Sequence, residues 1–212
     1  MLPGVYTATK KDGTIYYRSS ITYQNKHISL GSYASEDAAN QAYQKADALL
    51  RDPSVSFEHA FAHRGVLSFD KMVTLMNFRD NGVYIKTPIY LRRNYFEYFL
   101  SPTLILKFDI DDLFYYSSHR IQKRGGHLFV SDYGMQYNIL SRYGIKSHGV
   151  PGKDFRFVNE DFSDYRYSNI MIINPYAGVN MLQDGGKISY QAKIYINGYF
   201  SLGTYESDYL AA

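Results

Sequence analysis

The sequence predicts an α+β chain made of small, segregated units: three-stranded antiparallel sheet-plus-helix units flanking a mixed α+β module. Three observations carry this reading. A strand-rich segment near the start recurs near the end, helix-type apolar spacing follows the first copy, and short strand and helix patterns alternate between the two copies. The expected divisions are residues 1–52 (sheet plus helix), 53–83 (helical connector), 84–176 (mixed module) and 177–212 (a second sheet without its helix).

The repeat sets the strands at both ends. Gly4-Val5 matches Gly178-Val179, and Ile15, Tyr17 and Ile21 match Ile188, Tyr190 and Ile194. Leu30-Gly31, Tyr33 and Ser35 match Leu202-Gly203, Tyr205 and Ser207. Within the first copy Tyr17, Ser19, Ile21 and Tyr23 alternate with Tyr16, Arg18, Ser20 and Thr22, the period of a strand with two unlike faces. Lys11-Asp12-Gly13, Gln24-Asn25-Lys26, Asp184-Gly185-Gly186 and Asn197-Gly198 are turn signals, so each copy is expected to be a meander. Ser35 is a good N-cap, with Glu36 and Asp37 favourable in the first turn of a helix. Ala38, Ala42, Ala46 and Leu49 then give that helix a small-residue face that can lie close to a sheet. The second copy reaches Ser207–Ala212 without such a helix. Either the chain is a piece of a longer one or another element covers that sheet; the first is expected.

In the middle, Ser68 caps a helix whose apolar face is Met72, Val73, Leu75 and Met76, stopped at Asp80-Asn81-Gly82. Leu104, Leu106, Phe108 and Ile110 alternate as a strand. Asp111-Asp112 start a short helix, Gly125-Gly126 turn into a strand at 127–133, and residues 136–145 read as a helix. His59 and His63 stand one helical turn apart but lack a third ligand, and Asp109, Asp111 and Asp112 read as a helix start, so neither group is taken as a metal site.

Composition narrows the function classes. There is no cysteine, which excludes disulfides, thiolate zinc sites and a cysteine nucleophile. No apolar run approaches the roughly 20 residues of a membrane span, and the start has no apolar signal core, so a cytoplasmic protein is expected. The 23 Tyr and 13 Phe, with no Trp, suit thin sheets with one wet or ligand-facing side. A net charge of +3 is mild, but residues 84–150 hold the positive excess.

Residues 4–50, and in part 178–212, resemble the Apetala-two domain, the DNA-binding module of plant ethylene-response factors. The resemblance rests on Gly4-Val5, Tyr17–Ile21, Leu30–Tyr33, Ser35–Ala39, Ala42-Tyr43 and Ala46. It implies a sheet laid in the DNA major groove with the helix packed behind. The groove-facing positions would be Tyr16, Arg18, Ser20 and Thr22, with Lys10, Lys11 and Lys26 near phosphates; in the second copy they would be Ser189, Gln191, Lys193 and Tyr195. Independently of the family, a two- or three-stranded ribbon fits the major groove, where Arg, Gln and Ser reach base edges. Arg92, Arg93, Arg120, Lys123 and Arg124, the last three read as one glycine-ended turn, suit phosphate contacts.

The segment Asp164–Ile170 resembles the loop that closes the core of HNH endonucleases of the homing type, and the resemblance extends over about residues 105–176. The family's Asp-His pair falls on Arg156-Phe157, and Asn138 stands where a histidine often does. HNH chemistry needs an imidazole base and a divalent ion. Phenylalanine can do neither task and arginine does not ligate a cation. Phe157, Asp164 and Asn169 therefore read as relics without catalytic residues or metal ligands. Asp164 is expected to pair with Arg166 and Asn169 to tie the loop backbone. The expected function is non-catalytic binding of double-stranded DNA, in a protein of bacterial, phage or mobile-element origin, with no cofactor and no small-molecule substrate. The alternatives are an active endonuclease using Mg2+ or Mn2+ with His119, His127 or His148, and a protein-interaction scaffold.

Overall fold

In the computed structural model, residues 2–146 and 149–212 are described. Helices and small antiparallel sheets are mixed throughout. The chain forms two compact units, one of residues up to Leu106 with Ile110–Ser118, the other of Lys107–Asp109 with His119–Ala212.

The first unit opens with a meander of β1 (Val5–Thr9), β2 (Ile15–Tyr23) and β3 (Lys26–Tyr33). The Asp12 carboxylate accepts the Thr14 amide at 2.9 Å and shapes the first turn. Gln24 and Asn25 both take positive φ, the geometry whose twist matches a two-residue hairpin. Helix α1 (Glu36–Arg51) starts where Ser35 accepts the Ala38 amide at 3.2 Å. Its Ala42, Ala46, Leu49 and Leu50 share a core with Ile21, Ile28 and Leu30 of the sheet. Because alanine is small, the helix axis can approach the strands closely.

Helices α2 (Phe57–Ala62) and α3 (Phe69–Asn81) follow. Ser68 caps α3 and Gly82, in the left-handed region at φ 69°, ends it. Every residue from Met72 to Phe78 is buried, so α3 is the centre of the first core rather than an amphipathic connector. Its polar members are satisfied: the Asn77 amide donates to the Val83 carbonyl at 2.7 Å and accepts the Leu91 amide at 2.8 Å. Arg79 donates to the carbonyls of Leu49, Asp52 and Val55, which ties the end of α1 to α3. A sheet of β4 (Ile89–Leu91), β5 (Tyr95–Ser101) and β6 (Leu104–Asp109) follows, and a 3-10 turn leads into α4 (Leu113–Ser118).

The second unit holds a sheet of β7 (Ile121–Arg124), β8 (His127–Asp132) and β9 (Met135–Asn138). The helix expected over 136–145 is instead the end of β9 and a single 3-10 turn, Ile139–Tyr143. The Asn138 side chain accepts the Leu140 amide at 3.0 Å, and Gly144 at φ 73° stops the turn within five residues. Strands β10 (Phe155–Phe157) and β11 (Ile170–Ile172) pair with Arg156 opposite Met171. A second meander, β12 (Val179–Asp184), β13 (Lys187–Tyr195) and β14 (Tyr199–Tyr205), closes the chain. Where no helix was expected, a short one is present: α5 (Asp208–Ala211) is capped by Ser207 as Ser35 caps α1.

The sequence repeat is a structural repeat down to its irregularities. A bulge separates Ser19 from Ser20 in the first sheet and Ala192 from Lys193 in the second. The residue after each bulge donates its amide to a glycine carbonyl at the start of the meander: Ser20 to Gly4 at 3.0 Å, Lys193 to Gly178 at 2.8 Å. A tyrosine two residues on folds over a glycine of the third strand, Tyr33 over Gly31 and Tyr205 over Gly203. Gly178 lies at φ +80°, and a Cβ there would meet the Lys193 carbonyl oxygen at 2.6 Å. Gly178→Ala is therefore expected to cost about 1–3 kcal/mol, from left-handed strain and the displaced bulge, measured by urea unfolding.

Candidate nucleic-acid interface

The registers fix which side chains share the outer face of the first sheet. Tyr6 lies opposite Arg18, Ala8 opposite Tyr16, Ser20 opposite Ser29 and Thr22 opposite His27. The other face carries the core residues under α1. The Arg18 guanidinium donates to the Tyr16 hydroxyl at 2.8 Å and lies 5.5 Å from that ring, so its charge is held over the strand. Thr22 is exposed; Ser20 is only 7% exposed and forms part of the floor of a shallow cavity of about 510 Å³ with Tyr6, Arg18, His27 and Ser29. Lys10 and Lys11 are exposed in the β1–β2 turn, where hydrogen bonds from Thr14 hold the Asp12 carboxyl below its usual pKa. Lys26 points over the Tyr84 ring at 5.4 Å.

The second sheet repeats the arrangement with different chemistry. Gln191 takes the place of Arg18 and donates to Ser201 across the face at 3.2 Å. Lys193 takes the place of Ser20, and Ser189 that of Tyr16. Tyr195 and Tyr199 meet edge to face at 5.1 Å. The middle strand of the first outer face thus carries one basic side chain, Arg18, and that of the second carries Lys187 and Lys193. His27, Ser29, Tyr199 and Ser201 belong to these faces but were not among the sequence-derived positions. The two-residue turn at Gln24-Asn25 already implied the pairing that places His27 and Ser29.

Elsewhere the basic residues fall into two kinds. Arg92 and Arg93 are both exposed, but Arg92 is bound at 2.8 and 3.0 Å to Glu97 and stacks on Tyr90 at 4.5 Å, so a phosphate would have to compete for it. Lys123 and Arg124 are exposed on strand β7, not in the turn, which is Gly125-Gly126 alone; Arg120 precedes the strand.

The HNH-like positions form a closed structural knot. Phe157 is buried on β10 with Phe155, Phe162 and Tyr165 at 5.4–5.5 Å. Asp164 is fully buried and accepts from the Arg166 guanidinium at 2.6 and 2.8 Å and from Asn159 at 3.0 Å. Burial pushes its carboxyl up, but the Arg166 and Asn159 donors outweigh this and hold it below the ordinary range. Asn169 donates to the Asp164 carbonyl at 2.8 Å and accepts the Asn159 amide at 2.7 Å. His119 lies 3.5 Å from Asp132, His127 packs near Phe129, and His148 lies outside the described residues. His59 and His63 stack at 4.2 Å. Among the described residues, no group of three His, Cys, Asp or Glu side chains is placed to hold a metal ion. No described helix is long and apolar enough to cross a membrane.

One contact had no sequence signal, because its partners are far apart in the chain. Lys107 binds Asp161 at 2.8 Å, and with Ser163 it pulls that carboxyl down to about 2. A depressed carboxylate pKa adds stability above its unfolded value, and this is lost as pH falls toward 2. Lys107→Met is expected to be less stable than the parent chain at pH 5–7. The gap should close between about pH 4 and pH 2, as measured by denaturant midpoints across pH.

No family model, curated protein or solved structure matches the chain.

Proposed function

We propose that the chain is a cytoplasmic, non-catalytic protein that binds double-stranded DNA, akin to Apetala-two domains at its ends and to a degenerate HNH module between them, from a bacterial, phage or mobile-element setting. The observation that supports this most is the pair of bulged three-stranded sheets, each with a polar outer face and a basic middle strand, through Arg18 in the first and Lys187 and Lys193 in the second. A ribbon of this width enters the major groove, and such side chains reach base edges while Lys10, Lys11, Lys123 and Arg124 meet phosphates. With only Arg18, Lys187 and Lys193 on the middle strands in place of several arginines, each sheet supplies little affinity, and phosphate contacts carry the rest.

Duplex binding is expected to weaken steeply with added salt, since each phosphate neutralised releases counterions. Arg18→Ala with Lys193→Ala is expected to lower affinity by about tenfold or more in a fluorescence-anisotropy titration at fixed salt. Unchanged binding would remove both sheets from the interface. Nicking of the duplex in Mg2+ or Mn2+ would overturn the non-catalytic reading.

A further inference from the structure

The second half of α1, helix α2 and the start of α3 line a cavity of about 370 Å³ within the first unit. That volume lies in the range of small-ligand sites. Its floor is apolar: Leu49, Ala60, Leu67 and Met72 belong to the first core and are almost fully buried. Its rim is charged, and the charge is one-sided. Lys45, Arg51 and Arg64 line it against a single carboxylate, Asp52.

Two of these four groups are already satisfied. Arg51 donates to Asp47 at 2.7 Å, and the Asp52 carboxylate accepts the Ser54 amide at 2.9 Å and the Ser54 hydroxyl at 2.6 Å. Lys45 and Arg64 remain. Among the described residues, Lys45 is exposed and has no ion pair. Its stem runs along the loop after α2, with Cε 3.5 Å from the place that a Cβ on Gly65 would take. An ammonium group carried by α1 is thereby brought to the loop that holds Arg64. One Arg64 nitrogen donates to the Phe61 carbonyl at 3.2 Å, and the guanidinium lies 5.0 Å from the Phe61 ring. The other donors of that fork are left for a ligand. His59 and His63 complete the lining with rings stacked at 4.2 Å; the His63 Nδ1–H donates to the His59 carbonyl at 3.0 Å, because a carbonyl only accepts.

We propose that this cavity binds a small aliphatic carboxylate, its hydrocarbon chain on Leu49, Ala60, Leu67 and Met72 and its head shared by Lys45 and Arg64. The charge complementarity selects an anion, and the planar arginine fork suits a planar carboxylate. The apolar floor selects a chain behind that head. None of these residues belongs to the outer faces of the sheets, so the site is independent of DNA binding.

Hexanoate titrated into the full chain, followed by amide NMR shifts, is expected to saturate with a Kd on the order of 1 mM and to move residues of α2 and the second half of α1. Hexanamide, which keeps the shape without the charge, should bind about tenfold or more weakly, and so should acetate, which keeps the head without the chain. Lys45→Glu is expected to weaken hexanoate at least tenfold and to leave hexanamide unchanged. Ala48→Phe, at an exposed position of α1 on the cavity lining, should exclude both. Should Ala48→Phe fail to fold, Lys45→Glu still decides, since that side chain has no internal partner to lose. Equal affinity for hexanoate and hexanamide, or hexanoate binding unchanged in Lys45→Glu, would overturn the proposal. Acetate binding as tightly as hexanoate would overturn it too, reducing the site to an adventitious ion only.

Discussion

Asp164→Ala is expected to destabilise the second unit by about 3–5 kcal/mol, the range for removing one partner of a buried, hydrogen-bonded ion pair. Four donors converge on this carboxylate: two from the Arg166 guanidinium, the Arg166 amide at 3.2 Å and the Asn159 side chain. Truncation removes the buried acceptor of the Arg166 guanidinium and unties the loop that Asn169 and Asn159 close. Asp164→Asn retains an acceptor and should cost less, about 1.5–3 kcal/mol, as it forfeits only the charge-assisted part. Urea unfolding followed by circular dichroism measures both. Added Mg2+ should leave the parent chain's midpoint unchanged, because both carboxylate oxygens already accept from the protein's own donors. A midpoint that rises with Mg2+ and no longer does so in Asp164→Ala would return this residue to a metal-binding role.

The elements that were legible in the sequence are those with short-range causes. Ser35 and Ser68 announce helix starts because a hydroxyl cap depends only on the next three residues, and Gly82 announces a stop for the same reason. The two meanders were legible because turn residues and period-two alternation repeat within each copy. The segment after Gln136 was misread because its apolar spacing suits a helix. Asn138 bonds forward to Leu140 and Gly144 ends the turn, and these local bonds favour a strand followed by 3-10 geometry. The connector became a core helix because Thr74 and Asn77 find internal partners, which no pattern of polarity reveals. Of the candidate interface, the alternation of Tyr16, Arg18 and Thr22 was legible. The covering of Ser20 was not, since it follows from a bulge and from neighbours on two other strands.

The Leu-Gly motif of the repeat offers a matched pair of substitutions with opposite expectations. Leu30→Ala is expected to cost about 2–5 kcal/mol, the sum of lost transfer free energy and a cavity that α1 and the sheet can only partly fill. Leu202→Ala, at the same place in the second copy, is expected to stay within about 0.5 kcal/mol, because most of that side chain is already in water. The local sequence, the bulge and the strand pairing are shared, so the difference isolates the helix overhead. Because the chain has two compact units, the two variants should shift different transitions, each read from its own denaturant midpoint at unchanged slope. Comparable costs at both positions would mean that the second face is covered in solution.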